Sequence, residues 1–152
     1  MKTQQNGFTL VELMVALAIL GIVAVFALPM FGDVVERNRV VAKSNEILGA
    51  FTYARTEAVK SGSAVSVGGT GSDWAKGVTV TASDGTTLRV VTLPPGYTLS
   101  ATTTTISVAY DSTGFASSTL TLHLCPSDKS IPGRQYSLAL SGLVTVTEYT
   151  CP

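Results

Sequence analysis

From Phe8 to Phe31 the chain reads FTLVELMVALAILGIVAVFALPMF, and Glu12 is the only charged side chain in the run. Roughly 20 helical residues, each rising 1.5 Å, cross a hydrocarbon core, so the run is long enough to form a membrane helix. A secretory signal peptide would have a shorter apolar stretch followed by a cleavage site of small residues, whereas here the polar-to-apolar junction precedes the run. The segment is therefore expected to stay in the mature protein. In a chain of 152 residues this leaves room for one globular head on an apolar stem. With 45% hydrophobic and 13% charged residues and a formal net charge of zero, the overall balance steers the chain towards neither nucleic acid nor an acidic surface.

Asp33 to Lys60 continues in helical register, with Val40, Ile47, Phe51, Ala54 and Ala58 on one face. Arg37, Arg39, Lys43, Glu46 and Glu57 fall mostly off that face, and Ser61 with Gly62 supplies a C-terminal stop. A continuous helix from Phe8 to Lys60 would be roughly 80 Å long. Pro29 removes one backbone donor, and a kink is expected there.

Beyond Gly62 the chain turns to Thr, Ser, Val and Gly in short alternating runs that read as strands. They are AVSV at Ala64, GVTVTA at Gly77, TLRVVTL at Thr87, YTLSA at Tyr97, TISVAY at Thr105, STLTLHLC at Ser118, RQYSLAL at Arg134 and LVTVT at Leu143. Asp84-Gly85, Pro94-Pro95-Gly96, Asp111 to Gly114 and Ser141-Gly142 separate them as turns. The expected fold is α+β, a long N-terminal helix packed on an antiparallel β head of about 7–8 strands. The glycine-rich SVGGTGS at Ser66 lacks the lysine of a phosphate-binding loop and reads as a plain loop. Trp74, just before a strand, reads as the rim of the core.

The short polar leader ending in Gly7, followed by Phe8, Glu12 and Pro29, resembles the class III signal of type IV prepilins and pseudopilins. YARTEAVKSG at Tyr53, DWAKGVTV at Asp73 and SGLVTV at Ser141 are similar to the GspH/FimT group of minor pilins and pseudopilins. The resemblance implies that a membrane-embedded prepilin peptidase cuts between Gly7 and Phe8 and methylates the new amine of Phe8. It also implies a division into a leader at 1–7, a transmembrane half-helix at 8–31, an amphipathic half at 32–62 and a β head at 63–152. The protein would sit in the inner membrane with its head in the periplasm, then enter a pilus or pseudopilus filament beside other major and minor pilins.

Glu12 has two compatible readings. Locally, Thr9 and Glu12 have the spacing of a capping box, and the carboxylate meets the positive end of the helix dipole. A carboxylate at membrane depth nevertheless costs on the order of 2.5 to 3.5 kcal/mol, and such residues usually serve a function. In the family resembled, this glutamate pairs with the N-terminal amine of an adjacent subunit during assembly.

In a head placed outside the cytoplasm, Cys125 and Cys151 read as one disulfide, worth about 3.5 kcal/mol in the chain-entropy model. A zinc site would need two further ligands. The sole histidine, His123, lies on the polar face opposite Leu120, Leu122 and Leu124 and reads as a surface residue. No nucleophile stands with a base and an orienter, so neither an enzyme, a metal nor a cofactor is expected. Some relatives in DNA-uptake machines carry a GRxR element. Here the matching stretch is Gly133-Arg134-Gln135-Tyr136, without the second arginine. Arg134, Lys129 and Lys76 then offer a thin patch for weak phosphate contact. The expected role is a minor pilin acting in assembly of a type IV pilus. The alternatives are a minor pseudopilin of a type II secretion system and a DNA-binding pilin.

Overall fold

The structure, a computed structural model, describes residues 8–152, with the side chains of residues 26–30 outside that description. The leader at 1–7, including Gly7 of the expected cleavage site, falls outside the described residues, as does the Pro29 side chain that carried the expectation of a kink.

One helix, α1 (Leu10–Ser61), takes up both the apolar run and the amphipathic segment after it. Glu12 in its first turn and Lys60 in its last have the signs that the helix dipole favours. Gly62, at a φ of 66°, ends the helix where the sequence placed its stop. The chain divides into two compact units, one ending at Glu36 and the other spanning Arg37–Pro152. In the first unit, the large apolar side chains described between Leu10 and Val25 are each more than half exposed. Among the described residues, no helix is long and apolar enough to cross a membrane.

The second unit is built around the last seven turns of α1. Val40, Ile47, Phe51, Ala54 and Ala58, the stripe that the helical spacing predicted, are at most 1% exposed, and Ala50 joins them. The alanines at 50, 54 and 58 sit one turn apart and let the sheets approach closely. Ser44 is the buried polar residue of this face.

Eight strands follow: β1 (Val65–Thr70), β2 (Asp73–Ala82), β3 (Thr87–Thr92), β4 (Tyr97–Ala101), β5 (Ser107–Tyr110), β6 (Leu120–Pro126), β7 (Gly133–Leu138) and β8 (Val144–Tyr149). They form two four-stranded antiparallel sheets, β3-β2-β1-β5 and β4-β6-β7-β8. Val65, Val67, Val78 and Val80 of the first sheet and Leu99, Leu120, Leu122, Leu124, Tyr136 and Leu138 of the second join the helix stripe in one core.

Two sequence expectations are corrected here. SVGGTGS is no plain loop. Its first residues complete β1, and Gly71 and Ser72, both at positive φ, form the two-residue turn into β2, with Thr70 opposite Asp73. Such a turn matches the natural twist of a hairpin, which accounts for glycine at this point. Trp74 lies inside β2, is 6% exposed, and donates its indole N–H to the Thr105 carbonyl oxygen at 2.9 Å.

Candidate functional site

Three places in the chain bring together side chains with chemistry to offer. The first is the start of α1. The Thr9 backbone N–H and hydroxyl both donate to Oε2 of Glu12, at 3.1 and 3.2 Å, and the Glu12 N–H donates to the Thr9 hydroxyl at 3.2 Å. This is the reciprocal capping box expected from the spacing, and it satisfies helix N–H groups that have no partner within the helix. Phe8, just before it, is 90% exposed. A capped carboxylate thus stands at the head of a stretch of helix whose other large side chains are apolar and exposed.

The second place lies at the end of α1. Arg55 donates from Nε to the Gly114 carbonyl oxygen at 2.9 Å and from Nη2 to that of Ser141 at 3.2 Å. It thereby ties the turn after β5 and the β7–β8 turn to the helix. The Asp111 carboxylate organises the first of these turns, accepting from the Thr113 hydroxyl and the Thr113 and Phe115 N–H groups. Those bonds, the Thr113 hydroxyl foremost, hold its pKa below the usual 3.8. A side chain at Gly142 would put its Cβ 2.0 Å from the Gly114 carbonyl oxygen, so the two turns touch backbone to backbone. Sequence reasoning missed Arg55. Its partners lie 59 and 86 residues away, and the local signal was only an arginine beside a buried stripe.

The third place is the outer face of the second sheet. His123 and Tyr149 stack with ring centroids 3.8 Å apart and planes 10° apart, and His123 Nε2 is hydrogen-bonded to Gln135 Oε1 at 3.1 Å. His123, read from the sequence as plain surface, is thus half-buried and engaged on two sides. Beside it, a shallow cleft of about 300 Å³ is lined by Ser100, Ser127, Lys129 and the Cys125–Cys151 disulfide. The bridge, with Cα atoms 5.9 Å apart, joins the end of β6 to the residues after β8 and straddles β7. It crosses at Gly133, where a Cβ would lie 2.6 Å from Cys151 Sγ.

The three cations read as a thin patch sit on different elements. Lys76 belongs to β2 of the first sheet, and Lys129 lines the outer cleft of the second. Arg134 pairs in register with Leu124 and Glu148, and directly opposite residues share a face, so its side chain is on the helix side with Leu124. Its charge acts on Tyr136, which shares that face. Burial pushes the Tyr136 hydroxyl up to about 12, against smaller opposing effects of Ser44 and Arg134. The Tyr110 hydroxyl is likewise pushed up to about 12 by burial, and both hydroxyls are enclosed in the core. Among the described residues, no group of three or more His, Cys, Asp or Glu side chains could hold a metal ion.

A long N-terminal helix packed on two antiparallel sheets is the fold of type IV pilin-like proteins. The chain matches the family model described as Type II transport protein GspH over residues 43–143, and the prokaryotic N-terminal methylation motif over residues 2–28. The chain belongs to the GspH family. The crystal structure of the type IV minor pilin FimU of Pseudomonas aeruginosa is similar in fold, with a TM-score of 0.62 at 23% identity over 74% of this chain and 90% of that one. A second crystal form of FimU gives 0.58 at 22% identity, over 70% and 90%. The type IV major fimbrial protein FimA of Dichelobacter nodosus is 52% identical over 40 residues, which is 26% of this chain and 25% of FimA. The chain thus spans about a quarter of the length of the curated relatives it matches.

Proposed function

We propose that the protein is a minor pilin, a non-enzymatic structural subunit that acts in assembly of a type IV pilus. Prepilin peptidase cuts between Gly7 and Phe8 and methylates Phe8. The apolar half of α1 then holds the subunit in the inner membrane with its head in the periplasm. On assembly this half joins the apolar helices of other pilins, and Glu12 pairs with the N-terminal amine of a neighbour, so that neither charge is left alone in an apolar bundle. The observation that carries this reading is the run of exposed apolar side chains from Leu10 to Val25 headed by the capped Glu12. Such a surface needs lipid or other helices around it.

A second reading, as a minor pseudopilin of a type II secretion system, is favoured by the description of the family model that covers most of the head. It shares every step above and differs only in the filament joined. The dispersal of Lys76, Lys129 and Arg134 weighs against a third role in DNA capture, because few phosphates could be met at once.

Mass spectrometry of the membrane-extracted protein should find the leader gone and a methyl group on Phe8. Glu12→Gln tests the charge apart from the cap, because glutamine still serves a capping box. The variant should insert at the wild-type level yet fail to co-assemble. Pilins of one filament should co-isolate with the wild type, and their identity separates pilus from secretion system. An intact Met1, a cut beyond Pro29, or normal assembly of the glutamine variant would overturn the reading.

A further inference from the structure

Around the Arg55 clamp four large apolar side chains stand in solvent: Val59 at 52%, Phe115 at 56%, Leu140 at 55% and Leu143 at 58% exposed. They are neighbours. A Cβ on Gly114 would lie 3.2 Å from Val59 Cγ2, the Ala116 N–H donates to the Leu140 carbonyl oxygen at 2.9 Å, and the Ala139 N–H to that of Leu143 at 3.0 Å. The backbone beneath them is fixed by the two Arg55 bonds and the Asp111 bonds described above. Merely reversing the chain would not require so rigid a platform, whereas a preorganised surface loses less freedom on binding.

The exposed area is on the order of 400 Å², the size at which an apolar patch on a monomer usually has a role. It is about half of the 800 Å² per partner found in stable pairs. A patch of this size suits partners already held together elsewhere, where a second contact forms at high effective concentration. The proposed function, on which this inference rests, supplies such a tether in the apolar half of α1. Two Arg55 donors are taken by carbonyl oxygens and Lys60 lies 3.5 Å from Glu57, which leaves the apolar side chains as the main feature of this face. A second copy of this chain is a poor fit. Among the described residues, Val41, Val90 and Ile106 are the head's other large apolar side chains that stand exposed, and they lie apart, on α1, on β3 and in the β4–β5 loop.

We propose that Val59, Phe115, Leu140 and Leu143 form the docking surface for the head of a different pilin-like subunit, the neighbour of this one in its filament. A photo-crosslinking amino acid placed at Phe115, and separately at Leu17, in the full chain in its own membranes tests this, with adducts identified by mass spectrometry. Leu17 reports helix-mediated assembly and Phe115 reports the patch. Both positions should yield adducts with pilin-like subunits, the Phe115 adduct joining a different chain from this one. Phe115→Ser combined with Leu140→Ser should cut incorporation about tenfold while leaving the Cys125–Cys151 bridge formed on a non-reducing gel. If the variant loses that bridge, the Phe115 adduct alone decides. Adducts from Leu17 but none from Phe115 would overturn the docking surface and leave the filament role standing. So would a Phe115 adduct only with this chain or with a protein unlike pilins, or full incorporation of a bridged double variant. Adducts from neither position would remove both.

Discussion

Arg55 and Glu12 show what a single residue contributes and how far a sequence can disclose it. The Glu12 box was legible because its partners lie three residues apart, and helix geometry alone brings them together. The clamp made by Arg55 was not, because its acceptors come from two turns that only the finished sheets place side by side. Truncating the side chain leaves two carbonyl groups without their charged donor and frees the turns that carry Phe115 and Leu140. Arg55→Ala should therefore cost about 2 kcal/mol, read as a lower midpoint in urea unfolding at an unchanged slope. Arg55→Lys should recover little, because a single ammonium lacks the planar fork that reaches both oxygens.

At the scale of elements, alternation was a reliable guide. All eight runs singled out in the sequence form strands, and Leu120, Leu122 and Leu124 turn inward as a period of two requires. Glycine misled at β1, since the same residue type that marks loops also serves a hairpin turn. Trp74 was placed too early because Lys76 and Gly77 break the apolar alternation of β2, although the backbone pairing continues through them. The stack of His123 on Tyr149 was hidden because the two rings come from strands separated by β7. The Cys125–Cys151 bridge fastens this same sheet, joining β6 to the segment beyond β8. Cys151→Ser should lower the stability of the head by about 2 to 5 kcal/mol in denaturant titrations, and non-reducing digests of the wild type should contain the linked peptide.

For the whole molecule, stability should form a plateau against pH with a different cause at each end. Asp84, Asp111 and Asp128 are each held below 3.8 by donated hydrogen bonds. A depressed carboxyl contributes stability above its unfolded value that is lost as pH falls through the folded one, so the acid limb should set in near 3.8 and deepen below it. Tyr110 and Tyr136 work in the opposite sense. Burial raises both from 10.0 to about 12, so their contribution is complete below 10 and lost as pH climbs towards 12. Thermal melts followed by circular dichroism across this range should show the alkaline fall, and Tyr136→Phe should make it shallower. An unchanged alkaline limb in that variant would assign the fall to other groups. The bridge over Gly133 has a mechanical consequence of its own. In the proposed role the protein would be a link in a filament under load, and the covalent loop closed between Cys125 and Cys151, 26 residues apart, would keep β7 and β8 out of the path of tension. At roughly 3.5 Å per extended residue, about 90 Å of polypeptide is withheld from any stretching. A subunit pulled open from its ends would therefore come up short by that length, and would regain it only when the disulfide is reduced to two thiols.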